Sequence, residues 1–376
     1  MHAAQTATAA RESADTGATI GVQRLTSQGL TPPPHTDPVA LIRWLGAVQA
    51  QDFLGSLWAL GARLPGTTEA DMERAIADRT ILRTWPMRGT VHFVAAEDAR
   101  WMTGLLASRV LTRLGSVYRA AGLDDATFAR GRGLITRALA DGQPLKRTEI
   151  YATLEGAGIA TAAMRGLHII GRLAQEGTIC FGPRAGKQPT FVLLDAWVPQ
   201  QRGLVRDEAL AELTLRYFRS HGPATERDFA WWSGLRLAEI AGGLAAVRGQ
   251  LVAETIDGAT YWRGETPTVA AAAQALHLLP PFDEFLVSYK DRGASLDPHD
   301  AGLWAARDHL SSSTIVVGGR VIGSWKRTLG RGGVTIDALL ARPLGATEQG
   351  AFVAAIARYG AFLGVPVLDT RMTVIA

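Results

Sequence analysis

Two glutamines flank a single alanine at Gln49-Ala50-Gln51. A glutamine amide donates and accepts hydrogen bonds but cannot take up a proton at neutral pH. A convergent pair can therefore orient a bound group without acting as its base. Convergence depends on the backbone. In a regular helix, residues i and i+2 point about 200° apart, whereas in extended chain residues two apart face the same way. The motif falls at the junction of two predicted helices, where both amides can point into one cleft; the alternative is a pair of polar helix-end residues. Asp52 follows at once, and is either a competing carboxylate or the N-cap of the next helix. Asp283 and Glu284 in PPFDEF form a second acidic pair, read here as fixing a turn after Pro280-Pro281.

The elements around these residues follow from spacing. Asp37-Pro38 is a helix start, an acceptor followed by proline at the first helical position, and Val39, Leu41, Ile42, Leu45 and Val48 continue at helical spacing. Phe53 opens a second helix that closes near Pro65-Gly66, and Thr68 caps a third. Ile81–Val94, with an Arg-Gly turn, reads as a hairpin. The same order recurs: helices over 99–119, 124–140, 148–154 and 161–175, then a hairpin over 177–194 with a Gly/Arg/Lys/Pro-rich tip. It recurs once more with helices over 206–220, 226–233 and 236–247 and a hairpin across Asp257-Gly258. Helices followed by a hairpin is the order of a winged helix, and three recurrences near 100 residues apart form an architectural repeat. The remainder is strand-like over 276–289, 314–326 and 333–340, then helical over 347–362, with a last strand over 365–374. The expected fold is α+β: three tandem winged-helix units and a small β-rich, barrel-like C-terminal module. The expected division is a disordered leader (1–21), winged helices over 22–98, 99–200 and 201–272, and the closing module over 273–376.

Composition narrows the function classes. The chain has 376 residues, 47% hydrophobic and 20% charged, which is globular and long enough for two or three modules. Its formal charge of +4 suits a phosphate-binding face without dictating one. The one cysteine, Cys180, excludes an internal disulfide and any Cys-based zinc or iron–sulfur site, and the eight histidines show no HxxxH or HxH spacing. No metal and no cofactor are expected. No stretch reaches the roughly 18 apolar residues of a membrane helix, and the N-terminus lacks the apolar core of a signal peptide, so the expected compartment is the cytoplasm, with the nucleoid.

Winged helices point to nucleic acid, since such units place a helix in the major groove and steady it with phosphate contacts. Arg83, Arg88, Arg184, Lys187, Lys326 and Arg327 fall on predicted hairpins and are the candidate DNA contacts. His92, in the alternating run TVHFV, is structural or DNA-facing, and Trp231-Trp232 is packing.

The run AVQAQDFLGSLWALGARL, followed by ILRTWPMRGTVHFV, resembles the N-terminal region of the AlkZ-type DNA glycosylases, bacterial winged-helix enzymes that unhook interstrand crosslinks and remove bulky N7-alkylguanines. GPATERDFAWWSGL, LLPPFDEFLVSYKDR and IVVGGRVIGSWKRT resemble the same family, so the likeness runs from about residue 22 to near the C-terminus. The family's Gln–aliphatic–Gln motif is matched by Gln49, Ala50 and Gln51; the branch with Asp at the last position is not. The resemblance implies a monofunctional glycosylase acting on double-stranded DNA that carries alkylated purines, with Gln49 and Gln51 catalytic and no obligate protein partner. It implies a role in alkylation repair or in self-resistance to a DNA-alkylating natural product. The other expectation open from the residues is a winged-helix transcriptional regulator without catalytic activity.

Overall fold

Helix starts and hairpin turns fall where the local residues demand them, and together they make an α+β chain; the computed structural model describes residue 17 and residues 19–265, 270–297 and 308–375. Asp37 caps the helix Pro38–Leu45, accepting the Val39 and Ala40 N–H groups at 3.1 and 3.0 Å. Thr68 and Asp71 exchange hydrogen bonds at the start of Glu69–Ala77. The first hairpin, Ile81–Met87 with Thr90–Ala95, turns through Arg88 and Gly89, both at positive φ (55° and 80°), the geometry that matches the twist of paired strands. Of the leader expected over 1–21, residues 1–16 and 18 lie outside the described residues, and 19–21 open a helix that runs to 27.

The chain divides into two compact units. One comprises Glu73–Leu210 with Ser233–Leu235; the other comprises Met1–Met72, Ala211–Trp232 and Arg236–Ala376. The cuts at 72/73 and 210/211 fall inside the segments expected as the first and third winged helices.

In the unit built on Glu73–Leu210, two hairpins lie side by side in one sheet. The strands run in the order Thr90–Ala95, Ile81–Met87, Ile179–Ala185, Gln188–Leu193 and Leu145–Lys146, and neighbours pair antiparallel. Helices Ala99–Ala120, Asp125–Ala138, Arg147–Gly156 and Arg165–Gln175 bury Phe128, Ile135, Ile150, Leu154, Ile169 and Leu173. Cys180 is buried in the central strand, and burial pushes its thiol up to about 12, so it is an inert small hydrophobe.

The other unit carries a sheet in the order Val367–Val374, Gly333–Leu340, Arg320–Gly330, Thr314–Val317, Leu276–Leu279. The Val367–Val374 strand pairs in parallel after a crossover through the helix Ala346–Leu363; the other pairings are antiparallel. This corrects the barrel-like expectation. The sheet is open, with Val367–Val374 and Leu276–Leu279 at its two edges. The strand expected over 276–289 also ends early, at Leu279. Pro280 and Pro281 have no N–H to continue the ladder, and Asp283 caps a one-turn helix, Glu284–Val287, by accepting the Phe285 N–H at 2.9 Å.

Aromatic side chains fasten the motif-bearing helix Phe53–Gly61 to this sheet. The Trp58 indole donates to the Leu278 carbonyl at 2.7 Å, and Trp325 donates to Leu279 at 2.9 Å. Trp58 packs edge-on against Tyr359 and tilted against Phe362, centroids 4.9 and 5.1 Å away. Gly61 permits the approach of the last helix: a Cβ there would lie 2.4 Å from the Phe362 ring.

Candidate active site

The glutamine motif occupies a short link between two helices. Pro38–Leu45 stops at Gly46, whose φ of 80° is a left-handed-side conformation that side-chain-bearing residues resist. Val48–Gln49 is extended, and Asp52 is still extended (φ −90°, ψ 107°) before the next helix begins at Phe53. Along this link Ala50 is fully buried, Gln49 is 8% exposed and Gln51 is exposed. The strand ends at Gln49 and the chain bends at Gln51 and Asp52, so the motif turns from a buried first glutamine to an exposed second one. Asp52 takes the capping role: its carboxylate accepts the Gly55 N–H at 3.3 Å.

Behind Gln49 lies a buried polar network that the sequence reading did not foresee. The carboxylate of Glu284 is fully buried, and its Oε1 accepts the main-chain N–H of Gln49 at 2.7 Å. Its Oε2 accepts the Trp232 indole N–H at 2.9 Å and the Ser288 hydroxyl. Taking a carboxylate out of water is tolerable only when donors replace its hydration, and these three do so. His221 Nε2 stands 3.7 Å from Oε2, beyond hydrogen-bond reach, while its Nδ1 pairs with Ser220 at 2.8 Å. Burial lowers the His221 pKa, against the upward pull of Glu284.

Asp283, the other half of the acidic pair, is held by Arg63. The guanidinium binds it in a fork, with both N–H···O distances 2.9 Å, and also donates to the Ala59 carbonyl and to the carbonyl and side-chain oxygen of Gln28. All five guanidinium N–H groups find acceptors, the condition under which a buried arginine is tolerable. Gln28 then donates to the Glu284 carbonyl at 3.1 Å and to the Tyr289 hydroxyl at 3.0 Å, and Tyr289 donates to the His221 carbonyl. Asp283 does fix the turn, as expected from PPFDEF. Glu284 does something else: it reaches the motif 235 positions earlier. The available signal was a pair of adjacent acids inside an otherwise apolar run, Phe282 to Val287.

The other singled-out residues separate by role. His92 is buried, with Nδ1 on the Thr90 carbonyl at 3.0 Å and Nε2 on Arg88 at 3.2 Å, a structural arrangement. Trp232 is buried, and Trp231 is partly exposed with its indole on the Val287 carbonyl. Of the candidate DNA contacts, Arg83, Arg88, Arg184 and Lys187 belong to the Glu73–Leu210 unit, and Lys326 and Arg327 to the other. Lys187 and Lys326 are exposed. Arg83 stacks on Phe181 with 4.5 Å to the ring centroid, Arg184 pairs with Glu73, and Arg327 bonds the Tyr359 hydroxyl. Among the described residues, no group of three or more His, Cys, Asp or Glu side chains is arranged to hold a metal ion, and no helix is long and apolar enough to cross a membrane.

Comparison with known proteins agrees with the resemblance. A family model described as DNA glycosylase AlkZ-like matches residues 42–362. An interstrand DNA cross-link repair glycosylase of Streptomyces sahachiroi is 24% identical over 322 residues, covering 78% of this chain and 83% of that protein. The solved structure of the Streptomyces sahachiroi DNA glycosylase AlkZ superposes with a TM-score of 0.77 at 22% identity, covering 95% of this chain and 99% of that one, and so shares its fold.

Proposed function

Because the chain belongs to the AlkZ-like DNA glycosylase family, we propose that it hydrolyses the N-glycosidic bond of bulky N7-alkylguanines in duplex DNA, interstrand crosslinks included. The observation that carries this reading is the Gln49-Ala50-Gln51 motif in the link between two helices, within the matched region, with the Gln49 main chain held by the buried Glu284.

The chemistry suits amides. Breaking C1′–N9 sends the bonding electrons into the purine. An N7-alkylguanine is cationic beforehand, so it departs neutral and needs no protonation. What remains is to hold a water against C1′ as the sugar gains oxocarbenium character, and then to let the added water lose its proton to solvent. Gln49 and Gln51 hold that water, their amide oxygens accepting its hydrogens. Uncharged purines, whose departure needs an acid, are poor substrates. A Schiff-base step would need an amine; the four lysines, Lys146, Lys187, Lys290 and Lys326, all lie outside the motif segment. The enzyme is monofunctional and leaves an abasic site.

Three helix–hairpin repeats serve as winged-helix modules on the duplex, with Arg83, Arg88, Arg184, Lys187, Lys326 and Arg327 as phosphate contacts. A crosslink needs more room than a tight flipping pocket gives, and its removal suits either alkylation repair or self-resistance to an alkylating natural product.

The test is base release from a duplex carrying one defined N7-alkylguanine. Wild-type protein releases the base, and Gln49→Ala and Gln51→Ala each lower the single-turnover rate by about 10²-fold while binding the duplex as before. A wild-type protein that binds the duplex but releases no base from any N7 adduct overturns the reading.

A further inference from the structure

Glu284 is a fully buried acid whose carboxylate meets a main-chain N–H, an indole N–H and a hydroxyl. We propose that it is the positioning residue of the glutamine motif, an inference that rests on the catalytic role given above to Gln49 and Gln51. Its Oε1 holds the Gln49 main chain at 2.7 Å, so the rotation of that peptide, and with it the direction of the Gln49 side chain, is set by a carboxylate from the far end of the chain.

Three features favour positioning over simple packing. First, the group is an acceptor only, and the donors that meet it point inward on both oxygens: the Gln49 N–H on one, the Trp232 indole and Ser288 hydroxyl on the other. A glutamine there would set its own NH₂ against one of these sets. Second, Glu284 is itself held rigidly. Gln28 binds its carbonyl, and Asp283 beside it is clamped by the Arg63 fork. Third, Arg63 lies just past the end of the helix that the motif leads into. The adjacent pair Asp283-Glu284 therefore grips the motif segment at both ends, Glu284 at residue 49 and Asp283 at residue 63.

The experiment compares Glu284→Gln with wild type on a duplex carrying a single N7-methylguanine, measuring single-turnover base release, duplex Kd and the 1H–15N resonance of the Gln49 amide. The expected result is a rate lower by about 10²-fold, a Kd within about twofold, and a displaced Gln49 amide resonance. In a Gln49→Ala background the same change lowers the residual rate by less than about twofold, because the residue acts through Gln49. Equal loss in both backgrounds, or an unmoved Gln49 resonance, overturns the proposal. Should Glu284→Gln fold poorly, Glu284→Gln with Trp232→Phe removes the donor that opposes the new NH₂; recovered folding with the rate still low supports positioning, and recovered folding with a wild-type rate overturns it. If the wild-type protein releases no base, the glycosylase reading fails separately, and the Gln49 resonance still decides whether Glu284 sets the motif.

Discussion

Asp52 is the nearest carboxylate in sequence to the glutamine pair, and its geometry assigns it to the helix rather than to the reaction. It is extended, directly precedes Phe53–Gly61, and accepts the Gly55 N–H. Asparagine caps a helix start about as well as aspartate, so Asp52→Asn is expected to leave stability within about 0.5 kcal/mol of wild type. The same variant is expected to retain base release within about twofold if, as proposed, the water is held by Gln49 and Gln51. A loss near 10²-fold in single-turnover release, with the protein folded, would instead make Asp52 the base. Residue by residue, the motif was legible because glutamine chemistry is narrow and the spacing is short. Glu284 was not, since its partner lies 235 positions away and no local pattern encodes that contact. Its neighbour Asp283 was legible as a turn residue, but the Arg63 fork that holds it was not, for the same reason.

At the level of elements, the strand Leu276–Leu279 is held on both sides by tertiary contacts: two indoles donate to its carbonyls, and His277 pairs with the Thr31 hydroxyl at 2.9 Å. His277 is fully buried, and burial, reinforced by the charges of Arg358 and Arg63, pushes its pKa down from 6.5 to about 3. The unfolded chain thus takes up a proton below pH 6.5 that the folded strand refuses until near pH 3. Stability is therefore complete above pH 6.5 and declines as the pH falls through this window, with a slope of up to about 1.4 kcal/mol per pH unit from this residue. His221, also lowered by burial, adds to the decline. Urea denaturation between pH 7 and pH 4.5 checks this: His277→Gln flattens the slope by close to one proton, and an unchanged slope would mean that His277 is protonated in the native state. Elements bounded by strong turn residues, such as the Arg88-Gly89 and Asp257-Gly258 hairpins, could be read in advance because both turn residues adopt positive φ where those pairs are favoured. The segment after Leu279 could not, because its apolar residues suit a strand or a buried helix equally until two prolines and the Asp283 cap decide between them.

Across the whole molecule, the modest net charge of +4 conceals an asymmetry. The Glu73–Leu210 stretch holds 19 Lys and Arg against 13 Asp and Glu, a net of +6, while the remaining residues hold 20 against 22, a net of −2. The long helix Ala99–Ala120 alone exposes Arg109, Arg113 and Arg119. A duplex is attracted chiefly to the first of these parts, and its binding weakens as salt rises because each neutralised phosphate releases condensed counterions. Lys187, exposed at the hairpin tip of the cationic unit, and Lys326, exposed in the other, are the two lysines among the candidate contacts. Measured as log Kd against log salt concentration on an undamaged duplex, the slope is expected to fall by about 1 on Lys187→Ala and by about 1 on Lys326→Ala, with affinity lowered alike for every sequence. Base release at saturating protein should stay at the wild-type rate in both variants, because these contacts set where the duplex lies and take no part in bond cleavage. If the slope does not change for Lys326→Ala but does for Lys187→Ala, phosphate binding is confined to the cationic unit, and the unit that carries the glutamine motif does not grip the backbone at that strand.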